Sequence, residues 1–229
     1  MSAAVDSFND LPASIPVFPL SGVLLLPRGL LPLNIFEPRY RNMMSDALAN
    51  DRIIGMVQPV DPEEVPITPQ GRIKNLDDEK LPLYSMGCAG KIASHQASQD
   101  GCFQLSLTGI CRFKLGDEIQ TTRGYRRFEA DWSEFESDYN LDETALDRGN
   151  LLAAMRRYFE INGVSVDWTA IDKAEDEWLI NALAMSSPFT PAEKQALLEA
   201  ENLYSRSDVL TAIAEMACHS HYGSDLRPQ

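Results

Sequence analysis

Hydrophobic residues follow two different periodicities along this chain. Between residues 15 and 132 they form short runs and alternating segments bounded by proline and glycine, which is typical of β-strands. Over 103–110 the residues Phe103, Leu105 and Leu107 occupy every second position. After residue 139 the apolar residues recur at helical spacing. The pattern predicts an α+β protein, because strands and helices are segregated and do not alternate.

One helix is predicted within the strand-rich part, beginning at Pro38 and ending at Asn50. Proline is tolerated at the first helical position, where the missing N–H has no partner within the helix. The i, i+3, i+4, i+7, i+8 spacing predicts a buried face made of Tyr40, Met43, Met44, Ala47 and Leu48.

The segments 52–58, 83–93, 103–115 and 125–132 predict further strands. Together they predict a six- or seven-stranded, mostly antiparallel, barrel-like sheet. The stretch between them, 61–82, holds four prolines and an acidic run, and we predict a long mobile surface loop there.

Four helices are predicted in the second half. The first is capped by Asn140 and closed by Asn162-Gly163, and the third opens with the capping box Thr190-Pro-Ala-Glu193. The fourth is capped near Ser205. The buried positions expected in the last three are Ile171, Ala174, Trp178, Ala182 and Met185; Ala196, Leu197, Ala200 and Leu203; and Val209, Leu210, Ile213, Met216 and Ala217.

The change in composition predicts the domain boundaries. We expect a flexible tail over 1–14, a β-rich subdomain over 15–132, an acidic linker over 133–139, a helical subdomain over 140–221 and a tail over 222–229.

The chain has 229 residues, and 34 acidic against 20 basic residues give a net charge of −14. This charge repels phosphate backbones, so nucleic acid is not expected as a partner. The first thirty residues do not resemble a signal peptide, and no apolar run approaches the roughly 20 residues that span a bilayer. We therefore expect a cytoplasmic protein without a membrane partner.

Five segments in the same order carry a resemblance to a known family. The first is the word Phe36, Glu37, Pro38, Arg39, Tyr40, and the others are 52–58, 83–92, 103–113 and 191–210. They resemble the Lon amino-terminal domain family, the substrate-binding module that precedes the ATPase and peptidase of Lon proteases and also occurs alone. The resemblance implies a PUA-like β pseudobarrel followed by a small helical bundle. It also implies binding of polypeptide.

The motifs of Lon catalysis are missing from this sequence. Gly90-Lys91 is its only Gly-Lys pair; Ser85 replaces the first glycine of a Walker motif and Ile92 replaces the hydroxyl residue. We expect no ATP binding through such a motif, no cofactor and no catalytic residue.

Cysteine and histidine do not form a recognisable site. Cys218-His219-Ser220-His221 lacks the spacing of a four-ligand metal site and is expected to be a solvated tail. The sheet could cluster His95 with Cys88, Cys102 and Cys111, but core cysteines and an exposed histidine are expected instead.

Two groups of residues are candidates for binding. Arg123, Arg126 and Arg127 alternate with aromatic residues, which indicates either an RNA-binding edge or a hairpin of solvated arginines. Flexible methionines can adapt an apolar surface to varied partners, and Met43, Met44 and Met56 belong either to such a surface or to the core. The five residues of the word 36–40 are expected to be structural, and Glu37 and Arg39 are expected to hold the turn before the helix.

The leading hypothesis is a non-catalytic protein, similar to the Lon amino-terminal domain, that binds unfolded or flexible polypeptide or a protein partner and modulates proteolysis. The alternative is a PUA-like RNA-associated module that uses 123–128. An uncharacterised hydrolase is a third possibility.

Overall fold

The computed structural model of the protein describes residues 7–60, 81–98, 101–140 and 146–225, the last with side chains as far as 219. The predicted loop over 61–82 lies almost wholly outside these residues. The chain forms two compact units, Met1–Leu141 and Asp142–Gln229. Strands occur in the first unit and helices dominate the second, which confirms the α+β class.

The described residues of the first unit form a six-stranded sheet and one α-helix. Its elements are β1 (Ser14–Pro19), β2 (Leu30–Ile35), α1 (Pro38–Ala49), β3 (Ile53–Val57), β4 (Met86–Ala97), β5 (Phe103–Ile119) and β6 (Arg126–Asp131). All ladders are antiparallel except the parallel pair β1–β3.

Strand pairing in this unit forms a closed ring. The order is β2-β5-β4-β3-β1-β6, and β6 pairs again with β5. β5 can serve both ends of the order because it is 17 residues long. Its first part pairs with β2 over 103–108, and its last part pairs with β6 over 114–119. β2 is therefore an additional strand outside the ring.

The ring encloses a core of closely packed side chains. This core includes Phe113, which is fully buried and belongs to one cluster with Ile15, Val17 and Val57. Gly55 leaves room for the phenyl ring of Phe113, because a Cβ at position 55 would lie only 2.7 Å from Phe113 Cζ. The predicted alternation over 103–110 is confirmed, since the odd-numbered positions are the more buried ones.

The prediction for α1 is confirmed in its bounds and in most of its buried face. Tyr40, Met43, Met44 and Ala47 are buried, whereas Leu48 is only half-buried. The helix begins at Pro38, as its sequence indicates.

The predicted acidic linker is not a linker in the structure. Residues 133–139 belong to the first unit, where a short 3-10 helix spans Glu136–Tyr139. Phe135 and Asp138 are buried there, with exposed fractions of 4% and 7%. Asp138 can be buried because it forms an ion pair with Arg112 of β5. Sequence alone does not show that partner.

The predicted N-terminal tail is also more ordered than expected. A 3-10 turn spans Phe8–Asp10, and the Phe8 ring meets Tyr139 edge-on at 5.9 Å between centroids. Trp132 Nε1 donates a hydrogen bond to the carbonyl oxygen of Pro12. The segment before β1 thus contacts Trp132 and Tyr139 of the first unit.

The second unit is helical. Its elements are α2 (Arg148–Ile161), α3 (Trp168–Lys173), α4 (Asp176–Ser186), α5 (Pro191–Glu199) and α6 (Leu203–Asp225). The predicted cap at Asn140 is wrong, because α2 is capped by Asp147, whose carboxylate accepts from Asn150 N. The predicted closure is confirmed: Gly163 has a φ of 65°.

The predicted second helix is in fact two helices. Ala174 is extended and separates α3 from α4. The predicted apolar stripe is thereby broken, and Trp178 is 63% exposed.

The last two helices differ from prediction in their details. The capping box of α5 is confirmed, but Lys194 and Gln195 are buried and Ala196 is exposed. α6 begins before Ser205, whose N–H donates to Asn202 Oδ1. Met216 is exposed and not buried. α6 also continues through residues 222–225, which were predicted to be tail.

Across the described ranges, no helix has the length and apolar character needed to cross a membrane.

Candidate functional site

The residues of the Phe-Glu-Pro-Arg-Tyr word lie along an apolar groove in the first unit. The groove has a volume of about 280 Å³. It is lined by residues 18–21 at the end of β1, by 33–37 at the end of β2, and by Arg39 and Tyr40 at the start of α1. Pro59 and Leu81 complete the lining.

Phe36 is the exposed aromatic residue of this groove. Its exposed fraction is 67%, whereas the preceding Ile35 is 2% exposed. Successive side chains of a strand point to opposite faces, so one of two adjacent apolar residues at a strand end must face outward. Phe18 and Tyr40 are buried at the base of the groove, with ring centroids 4.4 Å apart.

Glu37 and Arg39 form an ion pair on the rim of the groove. Arg39 Nη2 lies 2.9 Å from Glu37 Oε2, and Nε of the same arginine donates to that oxygen at 3.1 Å. The guanidinium also lies over the Tyr40 ring, 4.7 Å from its centroid. The opposite charges are paired with each other, which leaves the groove predominantly apolar.

The methionine candidates do not lie on a binding surface. Met43 and Met44 are fully buried on the inner face of α1, and Met56 on β3 is only 4% exposed. All three belong to the core. The hypothesis that they form an adaptable apolar surface is therefore wrong for this structure.

The arginine candidates hold the first unit together. Arg123 binds Asp46 of α1 through Nε and Nη2, at 3.0 and 2.9 Å. Arg126 binds Glu118 through two hydrogen bonds and also donates to the carbonyl oxygen of Leu81. These guanidinium groups are committed to acceptors of the same chain.

The third arginine is engaged in the same way. Arg127 donates to Oγ and to the carbonyl oxygen of Ser14. The hydroxyl of Tyr125 donates to Asp46 at 2.9 Å and completes the attachment of α1 to the segment before β6.

Cysteine and histidine do not form a catalytic arrangement in the described residues. Burial and the nearby charge of Asp138 raise the pKa of the Cys111 thiol to about 12, the opposite of what an activated nucleophile needs. Cys111 Sγ donates to the carbonyl oxygen of Phe135 at 3.4 Å. His95 is exposed on β4.

In the described part of the chain, no three His, Cys, Asp or Glu residues lie close enough together to hold a metal ion.

Comparison with known proteins assigns the family. Residues 14–215 match the model of the ATP-dependent protease La (LON) substrate-binding domain. The chain belongs to this family. The match includes most of both units and is not confined to the strand-rich part.

Curated relatives of this family member are Lon proteases. The chain is 27% identical to the Lon protease of Flavobacterium johnsoniae over 203 residues, which is 87% of this chain and 23% of the relative. It is 24% identical to that of Dictyoglomus thermophilum over 205 residues, again 23% of the relative. The chain thus spans less than a quarter of the length of these two relatives.

Solved structures of the same domain share the fold. A Lon N-terminal domain protein from Xanthomonas campestris superposes with a TM-score of 0.57 at 22% identity, covering 87% of this chain and 97% of that one. The N-terminal domain of a Mycobacterium avium complex Lon protease superposes with a TM-score of 0.53 at 17% identity, covering 88% and 98%.

Sequence reasoning missed the exposure of Phe36. The available signal was the adjacent pair Ile35-Phe36 at a strand end, where alternation forces one side chain outward. It also missed Arg112 as the partner of Asp138, although Arg112 lies within a segment that carries the family resemblance.

Proposed function

We propose that this domain binds unfolded or flexible polypeptide segments and seats an apolar side chain of the segment in the groove beside Phe36. The observation that supports the proposal is the 67% exposure of the Phe36 side chain beside a predominantly apolar groove. Apolar side chains are normally buried in folded proteins, so exposed apolar residues are the feature that all unfolded segments share. The family's name, a substrate-binding domain, points the same way.

The size of the groove predicts weak binding at a single site. Full burial of one large apolar side chain contributes roughly 1.5–3 kcal/mol. Such a contribution is small beside the cost of ordering a flexible segment. A module of this kind holds its substrate transiently, which suits the delivery of many different segments to a protease.

We also propose that the domain takes part in proteolysis without catalysing it. The sequence has no Walker motif, and burial raises the pKa of the Cys111 thiol, which does not activate it as a nucleophile. The closed ring of strands supports a PUA-like pseudobarrel for the first unit, and the five helices α2 to α6 support a bundle for the second. We propose a cytoplasmic location.

Binding to an unfolded protein tests the proposal. Fluorescence anisotropy with fluorescein-labelled lysozyme, kept unfolded by reduction and neutral carboxamidomethylation of its cysteines, should show saturable binding. Phe36→Ala should raise the Kd about fivefold or more, because the variant removes the exposed ring and leaves the core intact. Trp178→Ala is the matched control: Trp178 is 63% exposed but lies in the second unit, and its loss should leave the Kd unchanged.

Two other outcomes would contradict this proposal, one by moving the site and one by favouring RNA as the ligand. Loss of binding in Trp178→Ala with none in Phe36→Ala would place the site in the helical unit. Salt-sensitive binding of single-stranded RNA, abolished by Arg127→Ala, would favour the RNA-associated alternative.

A further inference from the structure

β2 is a strand with an open edge. Among the described residues it pairs only with β5, while β1, β3, β4, β5 and β6 are each paired on two sides. An open edge carries a row of peptide groups able to pair with another chain. The last three residues of β2 line the groove that contains Phe36.

The ladder determines which peptide groups of β2 face outward. Gly109 N donates to the carbonyl oxygen of Gly29 at 2.8 Å just before the β2–β5 ladder. Bonded and non-bonded pairs alternate in an antiparallel ladder. Leu31, Leu33 and Ile35 therefore bond to β5, whereas the peptide groups of Leu30, Pro32 and Asn34 point to the open side.

The outward groups offer a defined pairing surface. Because Pro32 lacks an N–H, the open side presents the N–H and carbonyl groups of Leu30 and Asn34 and the carbonyl of Pro32. β2 contains no charged side chain, although charges are a common means of blocking an edge strand. Leu30 is itself 63% exposed.

We propose that the bound polypeptide adds to the open edge of β2 as a further strand, with an apolar side chain next to Phe36. This inference rests on the proposed function and specifies its geometry. Backbone pairing reads no side chains, so it fits a module that must accept many sequences, while the groove selects for one apolar position.

Charge identifies the class of segment that is favoured. The chain has a net charge of −14, and the two charged residues in the described lining of the groove, Glu37 and Arg39, pair with each other. A segment with lysine or arginine beside its apolar residues is attracted by the net negative charge of the chain, and the Arg39 cation in the groove is already paired with Glu37. The occupant is therefore an extended, cationic polypeptide segment.

A pair of substitutions at Asn34 tests the backbone contact. Asn34→Pro removes the outward N–H, whereas Asn34→Ala keeps that N–H and removes only the side chain. The probe is a fluorescein-labelled peptide with alternating leucine and threonine and two lysines at each end. The Kd should rise about tenfold or more in Asn34→Pro relative to Asn34→Ala. Equal affinities in two folded variants would overturn strand addition.

A scan with N-methylated peptides gives an independent answer on the unmodified protein, whatever the folding of the proline variant. Methylation at every second peptide position should weaken binding about tenfold, and methylation between them should have less than a threefold effect. A scan without this period-two pattern rejects strand addition.

Two further results separate this inference from the function beneath it. Peptide binding that needs Phe36 but shows no alternation leaves the proposed function standing and removes strand addition. A concentration-dependent dimer that Asn34→Pro abolishes and that the peptide does not dissociate would show that a second copy occupies the edge, which also removes it. Tighter binding at low salt is expected for the cationic probe, and binding that is insensitive to salt would reject the charge preference.

Discussion

Arg112 and Asp138 form a buried ion pair that joins the middle of β5 to the 3-10 helix after β6. Arg112 Nη2 lies 2.7 Å from Asp138 Oδ1, and the two side chains are only 4% and 6% exposed. Arg112 Nε and its backbone N also donate to the same carboxylate. The pair is thus held by several hydrogen bonds and fixes residues 133–139 on the first unit.

Removal of one partner should destabilise the first unit strongly. Asp138→Asn leaves the Arg112 guanidinium buried without a counter-charge, which typically costs about 3–5 kcal/mol. Urea denaturation monitored by circular dichroism should show a lower free energy of unfolding. The double variant Arg112→Met, Asp138→Leu should recover much of the loss, because it buries no unpaired charge.

A surface pair provides the control. Lys114 Nζ lies 2.6 Å from Glu134 Oε1, but the side chains are 39% and 60% exposed. Glu134→Gln should therefore cost less than about 1 kcal/mol. Equal losses at the buried and exposed pairs would contradict the role assigned to Asp138.

Substitution of Tyr40 should affect the free energy of unfolding more than it affects binding. Its ring is 7% exposed and packs on Phe18. Tyr40→Ala should lower the free energy of unfolding by on the order of 3 kcal/mol. Tyr40→Phe keeps the ring and should lose much less. A Tyr40→Ala variant that melts like the parent but no longer binds unfolded protein would instead assign this side chain to the recognition surface.

Gly109 should tolerate no side chain. The segment 26–28 passes close to Gly109. Arg28 N donates to the Gly109 carbonyl oxygen, and a Cβ at position 109 would collide with the backbone carbonyl oxygen of Leu26. Gly109→Ala should lower the free energy of unfolding by about 1–3 kcal/mol. Gly149→Ala is the control: its Cβ meets nothing closer than 3.7 Å, and alanine should stabilise α2 by about 0.5 kcal/mol. Calorimetric Tm values of the two variants should move in opposite directions.

The free energy of unfolding should fall at alkaline pH. Burial raises the pKa of Cys111 from 9.0 to about 12, and burial raises that of Tyr139 from 10.0 to about 12. The folded state holds these protons more tightly than the unfolded state, so their contribution is complete below pH 9 and is lost as the pH rises from 9 towards 12. Urea denaturation at pH 8, 10 and 11 measures the slope. Cys111→Ala should make the slope shallower, and an unchanged slope would show that the Cys111 thiol does not carry it.

The same burial predicts slow modification of Cys111. Alkylation with iodoacetamide at pH 8 requires thiolate and access, and Cys111 has neither in the folded state. Mass spectrometry should find the half-buried Cys102 modified first. Equal rates at the two positions would contradict the enclosed environment of Cys111.

The sequence by itself determined those elements whose evidence is local. Pro38 followed by residues at helical spacing specifies α1, strict alternation specifies the first part of β5, and Thr190 with Glu193 specifies the start of α5. In each case the physical cause lies within a few residues of its effect. The family resemblance, which depends on short words in order, was available for the same reason.

Tertiary structure decided the features whose causes are distant in the chain. α3 and α4 separate at Ala174, and the Arg148 guanidinium donates at this break to the carbonyl oxygens of Ile171 and Ala174 and to the Asp176 carboxylate. The acidic segment 133–139 belongs to the first unit because Asp138 is hydrogen-bonded to Arg112, which lies 26 positions earlier in the sequence. The groove likewise needs the ends of β1 and β2 and the start of α1 to meet, which the folded sheet brings about and no local pattern specifies.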